Sequence, residues 1–246
     1  MRLFSKSRSS GSKADFSALK TDMHSHLLPG IDDGSPDIQT SLELIKGMMS
    51  LGYSKLITSP HIMSDMYKNT REIILEKLAL LRSAVKEAGL DIEINAAAEY
   101  YLDEYVHGLI KNNEPLLPVS KNMILVEFSM AFPSHSLKDI LFDMQMQGLQ
   151  PIIAHPERYI YLERNKDFYE ELKDIGCLFQ VNLLSLIGHY GRTQQELAQY
   201  LLKKGYYDLA GTDLHHVRHL DALHSRELGS QLQKLMDSCK IINDQL

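Results

Sequence analysis

The sequence predicts a single α/β domain folded as a distorted seven-stranded barrel with helices outside. Three observations carry this expectation. Short apolar runs alternate with longer amphipathic stretches. The repeat is about 30 residues, the size of a β-α unit. Glycines that suit helix ends stand before strand-like runs, at Gly52, Gly89, Gly148, Gly176 and Gly205. The runs are Leu19–Met23, Lys55–Ser59, Ile92–Ala98, Met123–Phe128, Pro151–Ala154, Leu178–Leu183 and Tyr207–Gly211. Between them, Ile73, Leu75, Leu78, Leu81 and Val85 recur at helical spacing. Pro36 suits a first helical position and Thr193 an N-cap. An open doubly wound sheet is the alternative.

The 246 residues can bury a large core, and 44% hydrophobic with 24% charged residues excludes disorder throughout. Residues 1–19, rich in Ser, Lys and Arg, read as a flexible basic tail before a barrel at 20–246. No secretory-signal or membrane-spanning run is present, so no membrane insertion is expected. Two cysteines, Cys177 and Cys239, are too few for a disulfide framework, which points to a reducing cytoplasm. Neither precedes the phosphate-binding arginine of a thiol phosphatase, and both read as structural. A net charge of −6 disfavours nucleic acid as a partner.

In β/α barrels the chemistry sits where strands end at their carboxyl side. There this chain carries imidazoles and carboxylates: His24 and His26 after the first run, His61 after the second, Glu99 after the third, Glu127 ending the fourth, His155 after the fifth, Asp213 and His215 after the seventh. The sixth ends in the amides Gln180 and Asn182. His24 and His26, two apart in extended chain, face one way, as do Asp213 and His215. A lone strand-end histidine is more often a hydrogen-bonded structural group; two such pairs on different strands are a stronger signal. A carboxylate ending an apolar run needs a metal or an arginine to offset its burial. Asp32 and Asp33 before Gly34 could simply form a turn. His107, His135, His219 and His224 read as solvated, while His189 and His216 fall near the strand ends. Histidine and carboxylate donors without thiolate suit Mn, Fe or Zn in a multinuclear site. Arg158 is the candidate anion clamp.

The stretches DMHSHLLPGIDDGS (22–35), ITSPH (57–61), AAEYYLD (97–103), ILVEFS (124–129), PIIAHPERY (151–159), FQVNLLSL (179–186) and GTDLHH (211–216) closely resemble the polymerase-and-histidinol-phosphatase (PHP) superfamily. Within it they are similar to the bacterial manganese-dependent protein-tyrosine phosphatases of capsule and exopolysaccharide synthesis. The resemblance implies a TIM-like (β/α)7 barrel and three divalent metal ions, with Mn first and Fe, Zn or Mg as alternatives. It assigns one ion to His24, His26, Glu99 and Asp213, a second to Glu99, Glu127 and His155, and a third to Asp33, His61 and His215. Arg158 matches the phosphate-holding arginine; Arg218 is the nearest match to a second, at a different offset. The chain departs from the family at Ile62, where a second histidine is common. The implied reaction is phosphotyrosine hydrolysis by a metal-activated hydroxide. The implied partner is a phosphotyrosine protein, the tail of a bacterial tyrosine autokinase.

Two rivals stay open on the same scaffold: a phosphatase for a small metabolite such as histidinol phosphate, and a non-catalytic metal-stabilised regulator. An amidohydrolase is a weaker rival, because Glu127 ends the fourth run where that class commonly places a bridging lysine.

Overall fold

A computed structural model describes residues 14–132 and 136–246. Its strands are β1 (Thr21–Asp22), β2 (Lys55–Thr58), β3 (His61–Ile62), β4 (Glu93–Ala96), β5 (Glu99–Tyr101), β6 (Met123–Glu127), β7 (Gln150–Ala154), β8 (Leu178–Asn182) and β9 (Leu209–Gly211). All pairings between these strands are parallel. One sheet runs β1-β2-β4 and the other β3-β5-β6-β7-β8-β9.

The second and third apolar runs each yield two strands instead of one. Pro60, which has no N–H to give a ladder, separates β2 from β3. Ala97 and Ala98 separate β4 from β5. The register survives the break: Thr58 opposes Ala96 and His61 opposes Glu99. Bonds from Ala97 N to Thr58 O (2.9 Å) and from Glu99 N to Pro60 O (3.0 Å) carry the pairing across. Seven runs therefore remain seven strand positions, two of them bent.

The helices are α1 (Ile38–Ser50), α2 (Arg71–Glu87), α3 (Glu104–Lys111), α4 (Leu137–Met146), α5 (Asp167–Asp174), α6 (Arg192–Lys204), α7 (Val217–Leu223) and α8 (Arg226–Ser238). Helix α2 buries Ile74, Leu78, Leu81 and Val85, while Ile73 faces outward, so the apolar stripe begins one residue later than its spacing suggests. Pro36 lies outside α1, because the Asp37 carboxylate caps the helix by accepting from Thr40 N at 2.8 Å. Thr193 lies inside α6; Gly191, at φ +120°, turns the chain into that helix sooner.

Strand side chains are buried on both faces, as expected of parallel sheet. Ile124, Val126 and Ile153 pack in the large core, whereas Leu125, Ile152, Ala154 and Leu209 join Met23, Ile57, Ala97 and Val119 in a separate apolar cluster. Between β1 and β9 side chains replace ladder bonds. Asn243 donates to Thr21 O (2.9 Å) and Ala210 O (2.7 Å) and accepts from Ala210 N (2.9 Å). Asp22 accepts from the Thr212 N–H and hydroxyl, each at 2.9 Å. Just beyond, Ser25 and Leu214 form a parallel bridge.

The packed chain begins earlier than residue 20. Ala14, Phe16 and Leu19 are buried, and Phe16 stacks on Tyr53 with ring centroids 5.4 Å apart. The expected tail boundary at residue 19 is thus too late, because these three apolar side chains belong to the core; residues 1–13 lie outside the described residues. Cys177 and Cys239 are buried and unpaired. Among the described residues no helix is long and apolar enough to cross a membrane.

Candidate metal centre

Nine side chains singled out in the sequence converge at the carboxyl ends of the strands. Their potential ligand atoms form overlapping groups: His26, Asp33, His61 and His215; His24, His26 and Asp213; His24, Glu99 and His155; His61, Glu99 and Glu127. His24, His26, His61 and Glu99 each belong to two groups, so the arrangement is one continuous cluster.

Backbone geometry aims several of these side chains. His155 (φ +33°) and Asp213 (φ +51°) adopt left-handed conformations just past β7 and β9. Such backbone is uncommon outside glycine and persists only where surrounding contacts hold it. Gly211, ending β9, has no room for a side chain, since a Cβ there would lie 2.6 Å from the His24 Cβ. Gly34 is equally constrained: a Cβ would meet the His26 carbonyl at 2.3 Å.

The separations would suit donors gathered around metal ions. His24 Nε2 lies 3.2 Å from Glu99 Oε2 and 3.3 Å from Asp213 Oδ1; His26 Nε2 lies 3.3 Å from Asp213 Oδ1 and 3.3 Å from His24 Nε2. His155 Nε2 is 3.1 Å from Glu99 Oε1, and His61 Nδ1 is 3.1 Å from Glu99 Oε2. Donors about 2.1 Å from one ion stand roughly 3–3.5 Å apart at tetrahedral or octahedral angles. Glu99 Oε2 and His61 Nδ1 are moreover buried with no hydrogen-bond partner. Buried polar atoms are rarely left so, and a cation between them would satisfy both.

Residues behind the cluster settle which imidazole nitrogen faces it. Gln180 donates through Nε2 to Val181 O (2.7 Å), which turns Oε1 toward His24 Nδ1 at 2.8 Å. An amide oxygen only accepts, so His24 carries a proton on Nδ1, and Nε2 is the nitrogen that faces the cluster. Asp32 does the same for His26, with Oδ2 2.8 Å from Nδ1. For His215, Nδ1 donates to the Asp213 carbonyl at 2.9 Å and Nε2 lies 3.5 Å from Asp33 Oδ1. Asp32 also accepts from Gly34 N (3.0 Å) and His61 N (3.2 Å), so its turn role and its orienting role are one arrangement. Gln180, Asn182 and Asp32 are residues to which sequence reasoning gives no part in orienting the site. Their signal was position, at a strand end or beside a ligand.

Burial and crowding pull the two glutamates of the cluster in opposite directions. Burial pushes Glu99 toward protonation, yet His24, His61 and His155 hold it well below the usual carboxylate range. Burial, then the neighbouring charge of Glu99, drives Glu127 well above it. Two carboxylates this close resist joint ionisation unless positive charge is supplied. Burial and the nearby Arg158 press His155 down to about 4, leaving its imidazole neutral and free to ligate.

Arg158 sits at the rim, donating from Nη1 to Asp213 Oδ2 at 2.7 Å, with its Cζ 4.5 Å from the centre of the Tyr190 ring. A cavity of about 240 Å³ opens there, lined by Asp33, Arg158, Tyr190, Asp213, His215, His216 and His219. Arg218 is not brought in: it is exposed on α7, whose His219 turns toward the cavity instead. His219 and His107 are buried, not solvated; His107 pairs with Asp143 at 2.9 Å. His189 touches the rim through His219, at 5.2 Å between ring centroids. His135 lies outside the described residues.

An α/β fold of parallel strands with a histidine–carboxylate cluster at their carboxyl ends defines the class of protein: a scaffold with a potential polynuclear metal site. The chain matches the capsular polysaccharide synthesis CpsB/CapC family over residues 20–226 and belongs to it. It is 30% identical to the tyrosine-protein phosphatase CpsB of Streptococcus pneumoniae over 202 residues, covering 80% of this chain and 83% of that one. It is 25% identical to the tyrosine-protein phosphatase YwqE of Bacillus subtilis over 222 residues, 87% of each chain. In fold it resembles a solved structure from work on YwqE and CpsB, described as unique metal-dependent tyrosine phosphatases. The TM-score is 0.76 at 24% identity, over 90% of this chain and 96% of that one.

Proposed function

We propose that this chain is a metal-dependent protein-tyrosine phosphatase, a phosphoric monoester hydrolase acting on phosphotyrosine in proteins. One observation carries the reading: imidazoles and carboxylates from six of seven strand positions meet in one buried cluster, and an arginine stands at its rim. In this reading His24, His26, Glu99 and Asp213 hold one divalent ion, Glu99, Glu127 and His155 a second, and Asp33, His61 and His215 a third. Mn²⁺ is the first candidate through the resemblance to manganese-dependent phosphatases, and the thiolate-free donor set admits it beside Fe and Zn. Bound there, such ions supply Lewis acidity and lower the pKa of a coordinated water.

The chain's own residues do the rest. Gln180 and Asp32 keep Nε2 of His24 and His26 turned to the cluster. Arg158 offers a planar fork that matches phosphoryl oxygens. Three divalent ions would outweigh the charge of Asp33, Glu99, Glu127 and Asp213, leaving the site attractive to an anionic ester. A phenolic leaving group, with a pKa of about 10, departs without the general acid that an alkyl alcohol needs. The proposed substrate is the phosphotyrosine tail of a bacterial tyrosine autokinase in capsule synthesis, met in the cytoplasm. The strands would form one distorted seven-position barrel, with its seam where Asn243 and Asp22 join β1 to β9.

The test is turnover of a phosphotyrosyl peptide against histidinol phosphate, on protein purified without chelator and assayed for metal. Higher kcat/KM on the peptide, loss on chelation and return with Mn²⁺ support the reading. Preference for histidinol phosphate, or bound metal without turnover of any ester, overturns it.

A further inference from the structure

Arg158 ends the short helical turn Pro156–Arg158 that follows His155. Its aliphatic stem and guanidinium have many rotamers, and a phosphate clamp works only if those are restricted before the ligand arrives. Two groups restrict them. Asp213 Oδ2 takes one N–H at 2.7 Å, and the Tyr190 ring lies across the guanidinium at 4.5 Å. Tyr190 is itself anchored, because its hydroxyl accepts from Asn182 Nδ2 at 3.0 Å. The same Asn182 nitrogen donates to Asp213 Oδ2 at 3.0 Å.

The Asn182 amide cannot be turned the other way. Its Oδ1 accepts from Leu184 N at 3.0 Å, and a backbone N–H can only donate. Arg158, Tyr190, Asn182 and Asp213 therefore close a ring of contacts, in which Asn182 is held by Leu184 N independently of Tyr190. The ring joins the rim arginine to a carboxylate of the metal cluster. One face of Tyr190 is covered by the guanidinium, so that face serves the arginine and is closed to a substrate ring.

We infer that Tyr190, anchored by Asn182, is a positioning residue that holds the Arg158 guanidinium ready for phosphoryl oxygens; this rests on the phosphatase reading of Arg158. Tyr190 touches no reacting atom in this role. Its contribution is rigidity and a cation–π contact, and it passes through Arg158 alone. Removing Tyr190 should therefore matter only while Arg158 is present.

The experiment uses the full chain loaded with Mn²⁺ and two readouts: the dissociation constant of inorganic phosphate by calorimetry, and kcat/KM on a phosphotyrosyl peptide. Tyr190→Ala is expected to weaken phosphate binding about tenfold, the scale of a partly desolvated cation–π contact. Tyr190→Phe keeps the ring and should lose less than about threefold, since it gives up only the anchoring hydroxyl. Adding Tyr190→Ala to Arg158→Ala should cost nothing further. Metal content should match the parent in every variant, and Tyr190→Leu, of similar bulk without a π face, replaces Tyr190→Ala if that variant fails to fold. Additive losses in the double variant, equal losses in Tyr190→Phe and Tyr190→Ala, or lost metal would overturn the inference. Absence of phosphate binding in the parent protein would do so too. If the parent binds phosphate with this Tyr190 dependence yet leaves phosphotyrosine intact, the positioning role stands and the phosphatase reading falls.

Discussion

The inner and outer parts of the cluster use the same residue types but are held very differently. His24, Glu99, His155 and Asp213 are almost wholly buried at strand ends. Asp33, His61 and His215 leave 53, 13 and 14% of their side chains open to solvent, and Asp33 sits in a turn. Behind the inner histidine His24 lies the pinned amide of Gln180; behind Asp213 lies Asn182. Asp33 faces His61 and His215 at 3.5–3.6 Å and is met by the Tyr67 hydroxyl. An ion among the inner ligands should therefore exchange slowly, and one among the outer ligands quickly.

Glu99 is where that contrast would break most completely, because it faces His24, His26, His61 and His155 at 3.1–3.4 Å. Glu99→Gln keeps the shape and removes the charge. Its kcat/KM on phosphotyrosyl peptide should fall on the order of 10³-fold, comparable to losing a major electrostatic element of a catalytic site. Plasma mass spectrometry should show fewer metal ions per chain. Retention of full metal content would show that the inner ligands do not depend on this shared carboxylate.

Asp33→Ala tests the outer part alone. The expected result is loss of the weakest-held ion with the inner ions retained, and a fall in activity of about 10–100-fold that excess Mn²⁺ partly restores. Equal loss of all ions on dialysis would erase the distinction between the two parts.

How far the sequence exposed this arrangement follows the same divide. Strand-end histidines and carboxylates were legible because parallel strands place their carboxyl ends together, whatever the loops do. The His-x-His and Asp-x-His pairs were legible because extended chain alternates its side chains. Neither rule reaches the groups that act from behind. Gln180 and Asn182 looked inert as amides, and their value comes from contacts to Val181, Leu184, Tyr190 and Asp213 that form only when the sheet does. The breaks at Pro60 and at Ala97–Ala98 were hidden because each half-strand keeps the register of its whole. The early core residues Ala14 and Phe16 were masked by a polar, basic neighbourhood. Tyr53, which receives Phe16, is far off in sequence.

The seam between β1 and β9 supplies a stability test away from the histidine–carboxylate cluster. Asn243 makes three buried hydrogen bonds there, at 2.7–2.9 Å, from a segment near the end of the chain. Asn243→Ala removes them and takes this partner from the Thr21 and Ala210 carbonyls and from the Ala210 N–H. The cost should be about 2–3 kcal/mol, for buried groups left unsatisfied, or roughly 5–10 °C in Tm at this chain length. A calorimetric shift under 2 °C would mean that the backbone bridge at Ser25 and Leu214 suffices to join the strands.

The smallest expected effect separates two arginines that looked alike in the sequence. Arg158 and Arg218 each follow a candidate ligand histidine by three residues, after His155 and His215 respectively. The helical turn after His155 curls Arg158 back over the cluster, against Asp213 and Tyr190. After His215 the chain instead enters α7, capped by the His216 side chain accepting from His219 N. That start turns His219 inward and leaves Arg218 in solvent. A solvated charge is screened and contributes about 0–1 kcal/mol to any one contact. Arg158→Ala should lower kcat/KM by roughly 10²-fold or more, and Arg218→Ala by less than about fivefold. A loss at Arg218 as large as that at Arg158 would mean that α7 moves when the phosphorylated chain binds, carrying the arginine across the rim.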